Sequence, residues 1–283
     1  MGHVVTRPRE PFLALDGAAR IHQVPDRVDN LIWLLECTAT GDTAIVDGPS
    51  AAPAIAYAEA NGLTITAIWN THTHGDHVGV NKDWVAKGLP DGFRIFGPAG
   101  AADDVPGLTD PVDEGDEAQV GQLTARVWRT DGHILGHVCF LLGDVLFCGD
   151  TLFAGGCGFV FTGRMDQMFT SLMRLAELDP ETRVCCAHEY TEDNLRFALY
   201  LEPGNPDLQQ RWEAVQAIRQ EGGCTVPSTM GEEQATNPFL RPGSPELRQR
   251  LAELVPDQPL DSDEAVFVAT RELKNTGRHK GEA

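Results

Sequence analysis

Residues 71–77 read Thr-His-Thr-His-Gly-Asp-His, and they follow LTITAIWN at 63–70, whose β-branched residues predict a strand. Four side chains able to bind metal therefore fall at the C-terminal end of one strand. In an extended segment alternate side chains share a side, so His72 and His74 can converge on one ion. Gly75 lets the chain turn, and Asp76 and His77 can then face a second ion nearby. Mixed imidazole and carboxylate ligation suits zinc, iron and other borderline metals and leaves room for water. A solvated polar loop is the plainer reading of a lone HxH, but HxHxDH on an apolar strand is far more specific.

Two ions need more ligands than this segment holds. His133 in Asp131-Gly132-His133, Asp150 at the end of VLFCGD (145–150) and His188 after VCCA (184–187) each close a predicted strand. His137 competes with His133 but lies inside a predicted strand, where a packed histidine is the expectation. Asp47, at the end of AIVD, reads as a residue that steadies the ligand loop rather than a ligand.

Further out, Asn30 to Asp47 predicts a hairpin, 51–61 a helix, 78–87 a helix and 93–96 a short strand. Strands follow at 123–130, 137–142 and 145–148, with Gly143-Asp144 as a hairpin turn. Met168, Leu172, Leu175 and Leu178 give helical spacing to 166–178, ahead of a strand at 183–187. Strands with intervening helices predict sheets covered by helices. Beyond His188 the texture changes. Asn205-Pro206 and Ser244-Pro245 are helix starts, Gly222-Gly223 and Pro256 are stops, and Ser262 opens a last helix to about Lys274. Residues 191–283 thus predict an all-helical unit behind a first unit at 1–190.

A chain of 283 residues suggests roughly two domains. With 42% hydrophobic and 23% charged residues it is an ordinary globular composition, which excludes collagen, coiled coil and disorder. Twenty-two basic against 42 acidic residues give a charge of −20, which opposes nucleic acid and anionic membranes as partners. An anionic small molecule would need a local basic island. Arg271 to Ala283 supplies one, with four Lys/Arg against two Glu. Arg271 and Lys274, three apart on a helix, share a face and can hold a carboxylate. Seven cysteines, an odd number without a CxxC pair, argue against a disulfide scaffold. No apolar run approaches the ~18 residues of a membrane span, and Met1 to Glu10 lacks a signal-peptide core. A soluble, cytoplasmic monomer is expected.

The THTHGDH segment, the later Gly-His, the Gly-Asp and His188 resemble the metallo-β-lactamase superfamily. Within it the chain is similar over nearly its whole length to glyoxalase II, the hydroxyacylglutathione hydrolases. The matching segments are THTHGDHVGVN (71–81), GDTLFAGGCG (149–158), AHEYTEDNLRFALYLEPGN (187–205) and ATNPFLR (235–241), with a C-terminal helix carrying Arg271 and Lys274. The resemblance implies an α+β fold, a four-layer αββα metallo-β-lactamase-like sandwich with a C-terminal all-helical domain. It implies two divalent metal ions, zinc foremost and iron or manganese as alternatives. His72, His74 and His133 would hold the first, Asp76, His77 and His188 the second, and Asp150 would bridge them. Asp76 and Asp150 then serve catalysis beside a hydroxide between the ions. The implied reaction is hydrolysis of S-(2-hydroxyacyl)glutathione thioesters, S-D-lactoylglutathione to D-lactate and glutathione, in methylglyoxal detoxification. Tyr190, Arg271 and Lys274 match positions that contact glutathione.

The chain departs from the family's pattern after Cys157-Gly158, where a basic residue and, two positions on, a tyrosine or similar aromatic are usual. It has Phe159 and Phe161, so these two are expected in the substrate pocket with a weaker glutathione grip or a shifted thiol preference. A hydrolase of the same fold acting on another thioester or a lactone is the alternative they raise. Val80, where glycine is usual, predicts a small local adjustment. A persulfide dioxygenase, with one iron on two His and one Asp, is opposed by NPFLR and the Arg271/Lys274 helix. A catalytically silent protein of this fold is opposed by the presence of all seven ligands.

Overall fold

The run NLIWLLEC at 30–37 is apolar at nearly every position because both of its faces are covered. In the computed structural model, which describes residues 3–281, it is a strand of a seven-stranded sheet. Met1 and Gly2 of the N-terminal stretch and Glu282 and Ala283 of the basic segment lie outside the described residues. The sheet runs in sequence order: β1 (Phe12–Ala14), β2 (Ala19–Asp26), β3 (Asn30–Cys37), β4 (Asp42–Val46), β5 (Thr64–Trp69), β6 (Arg94–Pro98) and β7 (Asp110–Val112). The first four pair antiparallel and the last four parallel. The helices α1 (Ala52–Asn61) and α2 (Gly79–Lys87) make two of the parallel crossovers. Leu31, Trp33 and Leu35 point into the interior. Ile32 and Leu34 point the other way, into a cluster with Ile45, Ala54, Ile68, Val80 and Ile95 beneath the two helices. Val80 is thus accommodated as a buried part of that layer.

The second sheet takes β8 (Glu117–Val120), β9 (Leu123–Arg129), β10 (Val138–Leu142) and β11 (Val145–Gly149) as an antiparallel meander. A small hairpin, β12 (Leu152–Phe153) with β13 (Gly156–Cys157), and helix α3 (Met165–Leu175) come next. Then β14 (Arg183–Cys186) joins β11 in parallel. The sheets face each other across one core, in which the Trp69 ring lies 5.1 Å from that of Phe140 on the opposite sheet. Met168, Leu172 and Leu175 bury one face of α3 against this core. The layering is the expected αββα sandwich.

Residues beyond His188 form α4 (Thr191–Leu201), α5 (Pro206–Gln220), the two-residue strand β15 (Ser228–Thr229), α6 (Met230–Thr236), α7 (Pro245–Leu254) and α8 (Asp263–Asn275). The caps are those the sequence announces. Asn205 accepts from the amides of Asp207 and Leu208, Ser244 from Leu247 and Ser262 from Ala265. Here β15 extends the edge of the second sheet beside β14, so the helical segment contributes a strand to the sandwich. A second tie is polar. The carboxylate of Glu233 accepts from the Gly155 amide at 2.8 Å, Asn237 donates to the Gly156 carbonyl at 2.9 Å, and Asn194 donates to the Ala154 carbonyl at 3.0 Å. Helices α4 and α6 and the turn after α6 thus grip the β12–β13 hairpin. Among the described residues, no helix is long and apolar enough to cross a membrane.

Candidate metal centre and substrate cleft

The chain leaves β5, β9, β11 and β14 at the same edge of the sandwich, and each exit carries part of one cluster. The loop after β5 holds His72, His74, Asp76 and His77; His133 follows β9, Asp150 follows β11 and His188 follows β14. The first loop is fixed by its backbone. Asp47 at the end of β4, held at φ +53°, accepts from the Thr71 amide (2.8 Å) and hydroxyl (2.6 Å). The Asn70 amide group donates to the His77 carbonyl at 3.0 Å, and Asn81 donates to the Asn70 side-chain oxygen at 2.7 Å. Asp47 therefore steadies the loop as the sequence suggested.

Three imidazoles meet at one point. His74 Nδ1 lies 3.0 Å from His72 Nε2 and 3.0 Å from His133 Nε2. The outer nitrogens determine the protons. His133 Nδ1 faces the Phe159 carbonyl at 2.7 Å, which only accepts, so the ring proton sits there. The Thr71 hydroxyl gives its proton to Asp47, so His72 Nδ1, 3.1 Å away, donates to the hydroxyl. Both Nε2 atoms are then bare lone pairs, and with neutral rings at most one proton serves three converging nitrogens. A cation resolves this: a tetrahedral zinc with bonds of about 2.0–2.1 Å separates its nitrogen ligands by roughly 3.3 Å. The donor set fits a divalent metal.

A second group, Asp76, His77 and His188, stands beside the first. His188 Nδ1 donates to Asp29 at 2.8 Å and His77 Nδ1 lies 3.0 Å from Asp47, which turns both Nε2 atoms inward. Asp76 Oδ2 is 3.8 Å from His77 Nε2 and 3.5 Å from His188 Nε2, and it accepts from Asn30 at 3.1 Å. Asp150 spans the two groups. Its Oδ2 is 3.5 Å from His133 Nε2, and its Oδ1 is 3.5 Å from His77 Nε2 and 3.4 Å from His188 Nε2. Both ring nitrogens of buried His77 and Asp150 Oδ1 lack a hydrogen-bonding partner; His77 Nδ1 has only the charge of Asp47 beside it, and metal ligation would relieve the costly state of the inward-facing Nε2 and Oδ1. Asp47 also lies near His72 and His77, but its oxygens serve Thr71 and the outer side of His77. His137 sits behind the cluster, stacked on His72 at 4.8 Å, with its Nε2 accepting from the Asp150 amide at 3.2 Å.

Electrostatics follow from burial and proximity. Burial opposes the charged form of Asp150, yet His188, His77 and His133 together hold its carboxyl far below the usual range. Burial likewise opposes the His77 cation, and Asp150 with Asp47 outweighs it, raising that ring well above the usual value. Burial, then the neighbouring His77, lowers His72 well below it.

A cleft of about 280 Å³ opens beside the second group. Tyr190, Arg271, Lys274 and Phe159 line it, together with Asn194 and Lys280. The Arg271 guanidinium is buried and donates to the Cys157 carbonyl at 3.1 Å, while the Lys274 ammonium donates to Asn194 Oδ1 at 2.5 Å. Phe161 stands apart from this lining, edge-on to His74 and His133 at 5.3 Å each. A larger hollow of about 520 Å³ along α5 and α6 contains no member of the cluster, so size does not mark the site. Sequence reading missed Asp29, Asn30 and Asn194. Asp29 and Asn30 precede the hairpin's apolar run with no motif around them; Asn194 lay inside AHEYTEDNLRFALYLEPGN and could have been found as a helical position one turn beyond Tyr190.

Comparison with known proteins identifies the family and the fold. Residues 25–188 match the model of the metallo-beta-lactamase superfamily, and residues 189–277 match that of the hydroxyacylglutathione hydrolase C-terminus. The chain is 45% identical to the hydroxyacylglutathione hydrolase of Methylococcus capsulatus, over 91% of this chain and 98% of the relative. The crystal structure of ETHE1 from Myxococcus xanthus superposes with a TM-score of 0.60 at 22% identity, covering 92% of this chain and 99% of that one, a likeness of fold. TTHA1623, solved in a di-iron-bound form, gives a TM-score of 0.54 at 25% identity over 78% of this chain and 99% of its own. The chain belongs to the hydroxyacylglutathione hydrolase family of the metallo-β-lactamase superfamily.

Proposed function

We propose that this protein hydrolyses S-(2-hydroxyacyl)glutathione thioesters, with S-D-lactoylglutathione, giving D-lactate and glutathione, as the substrate of methylglyoxal detoxification. The observation that carries the reading is the convergence of two ligand groups, shared through Asp150, beside a cleft walled by Tyr190, Arg271 and Lys274. Relatives bearing the hydroxyacylglutathione hydrolase name support the substrate class.

In this reading His72, His74 and His133 hold one divalent ion, Asp76, His77 and His188 another, and Asp150 both. Bound there, the ions supply Lewis acidity, which activates water near neutral pH and polarises a carbonyl. The protein's part is orientation. Asp29, Asp47, Thr71 and the Phe159 carbonyl fix which nitrogen of each ring faces inward. Asp76 and Asp150 bring negative charge that balances the ions and keeps the pair together. The Lys274 ammonium attracts a carboxylate of the thiol moiety, and the Tyr190 hydroxyl borders the path between cleft and cluster. Departure of a thiolate needs little help, so no strong general acid is required.

Residues 1–190 act as the catalytic unit and 191–283 as the substrate-binding unit. Zinc is the proposed metal, and a cytoplasmic monomer the proposed form, in line with a net charge of −20 that disfavours nucleic acid and anionic membranes. Hydrolysis of S-D-lactoylglutathione by purified protein of measured metal content tests the function, beside non-glutathione thioesters and a lactone. Turnover specific to the glutathione thioester is expected. Failure by metal-loaded protein that cleaves another thioester or the lactone would overturn it.

A further inference from the structure

Lys280 reaches the substrate cleft from beyond α8, and the chain is shaped to bring it there. Gly277, at φ +71°, turns the backbone out of the helix into the 3-10 turn Arg278–Lys280. Two side chains pin that turn. Arg278 donates to the Leu254 carbonyl at the end of α7 at 3.1 Å, and the His279 ring lies edge-on to Phe197 of α4 at 5.0 Å. Lys280 is thereby laid over α4, where its ammonium meets the Asp193 carboxylate at 3.1 Å. Tyr190, Asp193 and Asn194, at helical spacing, share the face of α4 that lines the cleft. Tyr190 is the end stacked on His188, so Asp193 lies about 4.5 Å further along the helix axis, away from the metal cluster. Side-chain exposures of 41% for Lys280 and 19% for Asp193 leave the pair screened by water, so it adds little to stability. It gives the cleft a pattern of charge instead. Arg196, the other cation near Asp193 at 3.9 Å, is held by Glu192 at 3.3 Å. Lys280 also lies past residues 189–277, the stretch matched by the family's C-terminal model, so family membership gives it no role.

We propose that Asp193 and Lys280 recognise the zwitterionic amino-acid end of the thiol's γ-glutamyl group, Asp193 taking the α-ammonium and Lys280 the α-carboxylate. This rests on the glutathione-thioester reading above, which gives Lys274 one carboxylate of the thiol. Glutathione carries two carboxylates and one ammonium. Lys274 and Lys280 answer the carboxylates and Asp193 answers the ammonium, while Arg271 is occupied by the Cys157 carbonyl at 3.1 Å and the Asn275 side chain at 3.0 Å. The two charges of an α-amino acid sit on one carbon, and those of Asp193 and Lys280 stand 3.1 Å apart, so the two pairs can lie head to tail with each charge facing its opposite. A thiol without that amino-acid end, such as cysteinylglycine, leaves the pair facing water.

The test measures, by calorimetry on the metal-loaded protein, the binding of three inert thioethers: S-methylglutathione, its N-acetyl derivative and its γ-glutamyl α-amide. Acetylation removes the ammonium and amidation removes the charge of the carboxylate. In the wild type each change is expected to weaken binding about threefold to tenfold. Asp193→Asn should abolish the discrimination against the N-acetyl compound and keep that against the amide, and Lys280→Met should do the reverse. Comparing ligands within one variant cancels any change at Lys274. A pair that only fastens the turn to α4 would move all three affinities alike. That result, equal affinities in the wild type, failure of all three to bind, or discrimination that both variants leave unchanged would overturn the inference. Turnover of S-D-lactoylglutathione by the same preparations is read separately. Its absence would overturn the hydrolase reading, and the thioether affinities would still accept or reject the role of Asp193 and Lys280.

Discussion

The phenol ring of Tyr190 lies parallel to the imidazole of His188, with 3° between their planes and 4.8 Å between centroids. The stack joins the cleft to the second ligand group. Burial, reinforced by Asp29, Asp150 and Asp76, pushes the phenol pKa well up, so the hydroxyl remains a donor through the neutral range. Tyr190→Phe keeps the stack and removes only that donor. Steady-state kinetics should show KM raised about twofold to tenfold with kcat nearly unchanged. A matching fall in kcat would place the hydroxyl in the chemical step.

Among the described residues, Asp150 is the one side chain within ion-pair distance of histidines in both groups. Asp150→Ala should lower turnover by at least about a hundredfold and reduce bound metal, measured by plasma mass spectrometry on the same sample. Wild-type metal content together with wild-type activity would remove Asp150 from the centre.

Asp29 touches the cluster only through His188, by the 2.8 Å hydrogen bond to Nδ1. Asp29→Ala should weaken metal affinity about tenfold to a hundredfold, and Asp29→Asn, which retains an acceptor, less. Chelator competition measures the difference. Equal affinities in all three proteins would make Asp29 a bystander.

Burial, with repulsion from Arg271, lowers the Lys274 ammonium to about 7 against the attraction of Asp193. The charge is present below that pH and lost above it. KM for an anionic thioester should therefore rise with pH through about 7, by about tenfold at the alkaline limit, and Lys274→Arg should flatten the profile. On the alkaline side, binding should take up a proton, visible by calorimetry in buffers of different ionisation enthalpy. The effect on stability has the opposite sense. Between about 7 and 10.5 the unfolded chain holds the extra proton, so stability increases with pH across that window.

Gly158 packs where no side chain fits. A Cβ there would run into the Asp150 carbonyl oxygen and come within 2.9 Å of His133 Nδ1. Gly158→Ala should cost about 1–3 kcal/mol by thermal unfolding and lower metal affinity with it. An unchanged Tm would show that the β13 exit has room to move.

The ligand loop was legible because its spacing and its placement at a strand end are both local properties. His133, Asp150 and His188 were legible for the same reason, each closing an apolar run. The strand β2 was not read. Its ARIHQVPD interrupts the apolar pattern with His22 and Gln23, which are buried because Glu36, Tyr57 and the Val226 carbonyl satisfy them across the fold. Helix α4 was missed for want of a capping side chain at Tyr190, its start being marked only by Glu192 and Asp193. The helix read over 166–178 ends at Leu175, although Leu178 still packs on the core. Asp29 and Asn30 act through partners 159 and 46 positions away, a distance no local pattern records. The metal chemistry is thus written in short segments, and the parts that orient it are written in contacts.

The grip of Glu233, Asn237 and Asn194 on the β12–β13 hairpin bears on how the molecule comes apart. Its acceptors and donors are buried backbone groups, and opening the joint would leave each of them unmatched away from water. With β15 woven into the sheet as well, the helices cannot melt first and leave an intact sandwich behind. Scanning calorimetry should therefore trace a single cooperative peak, and a chain cut after residue 190 should aggregate rather than persist as a working half.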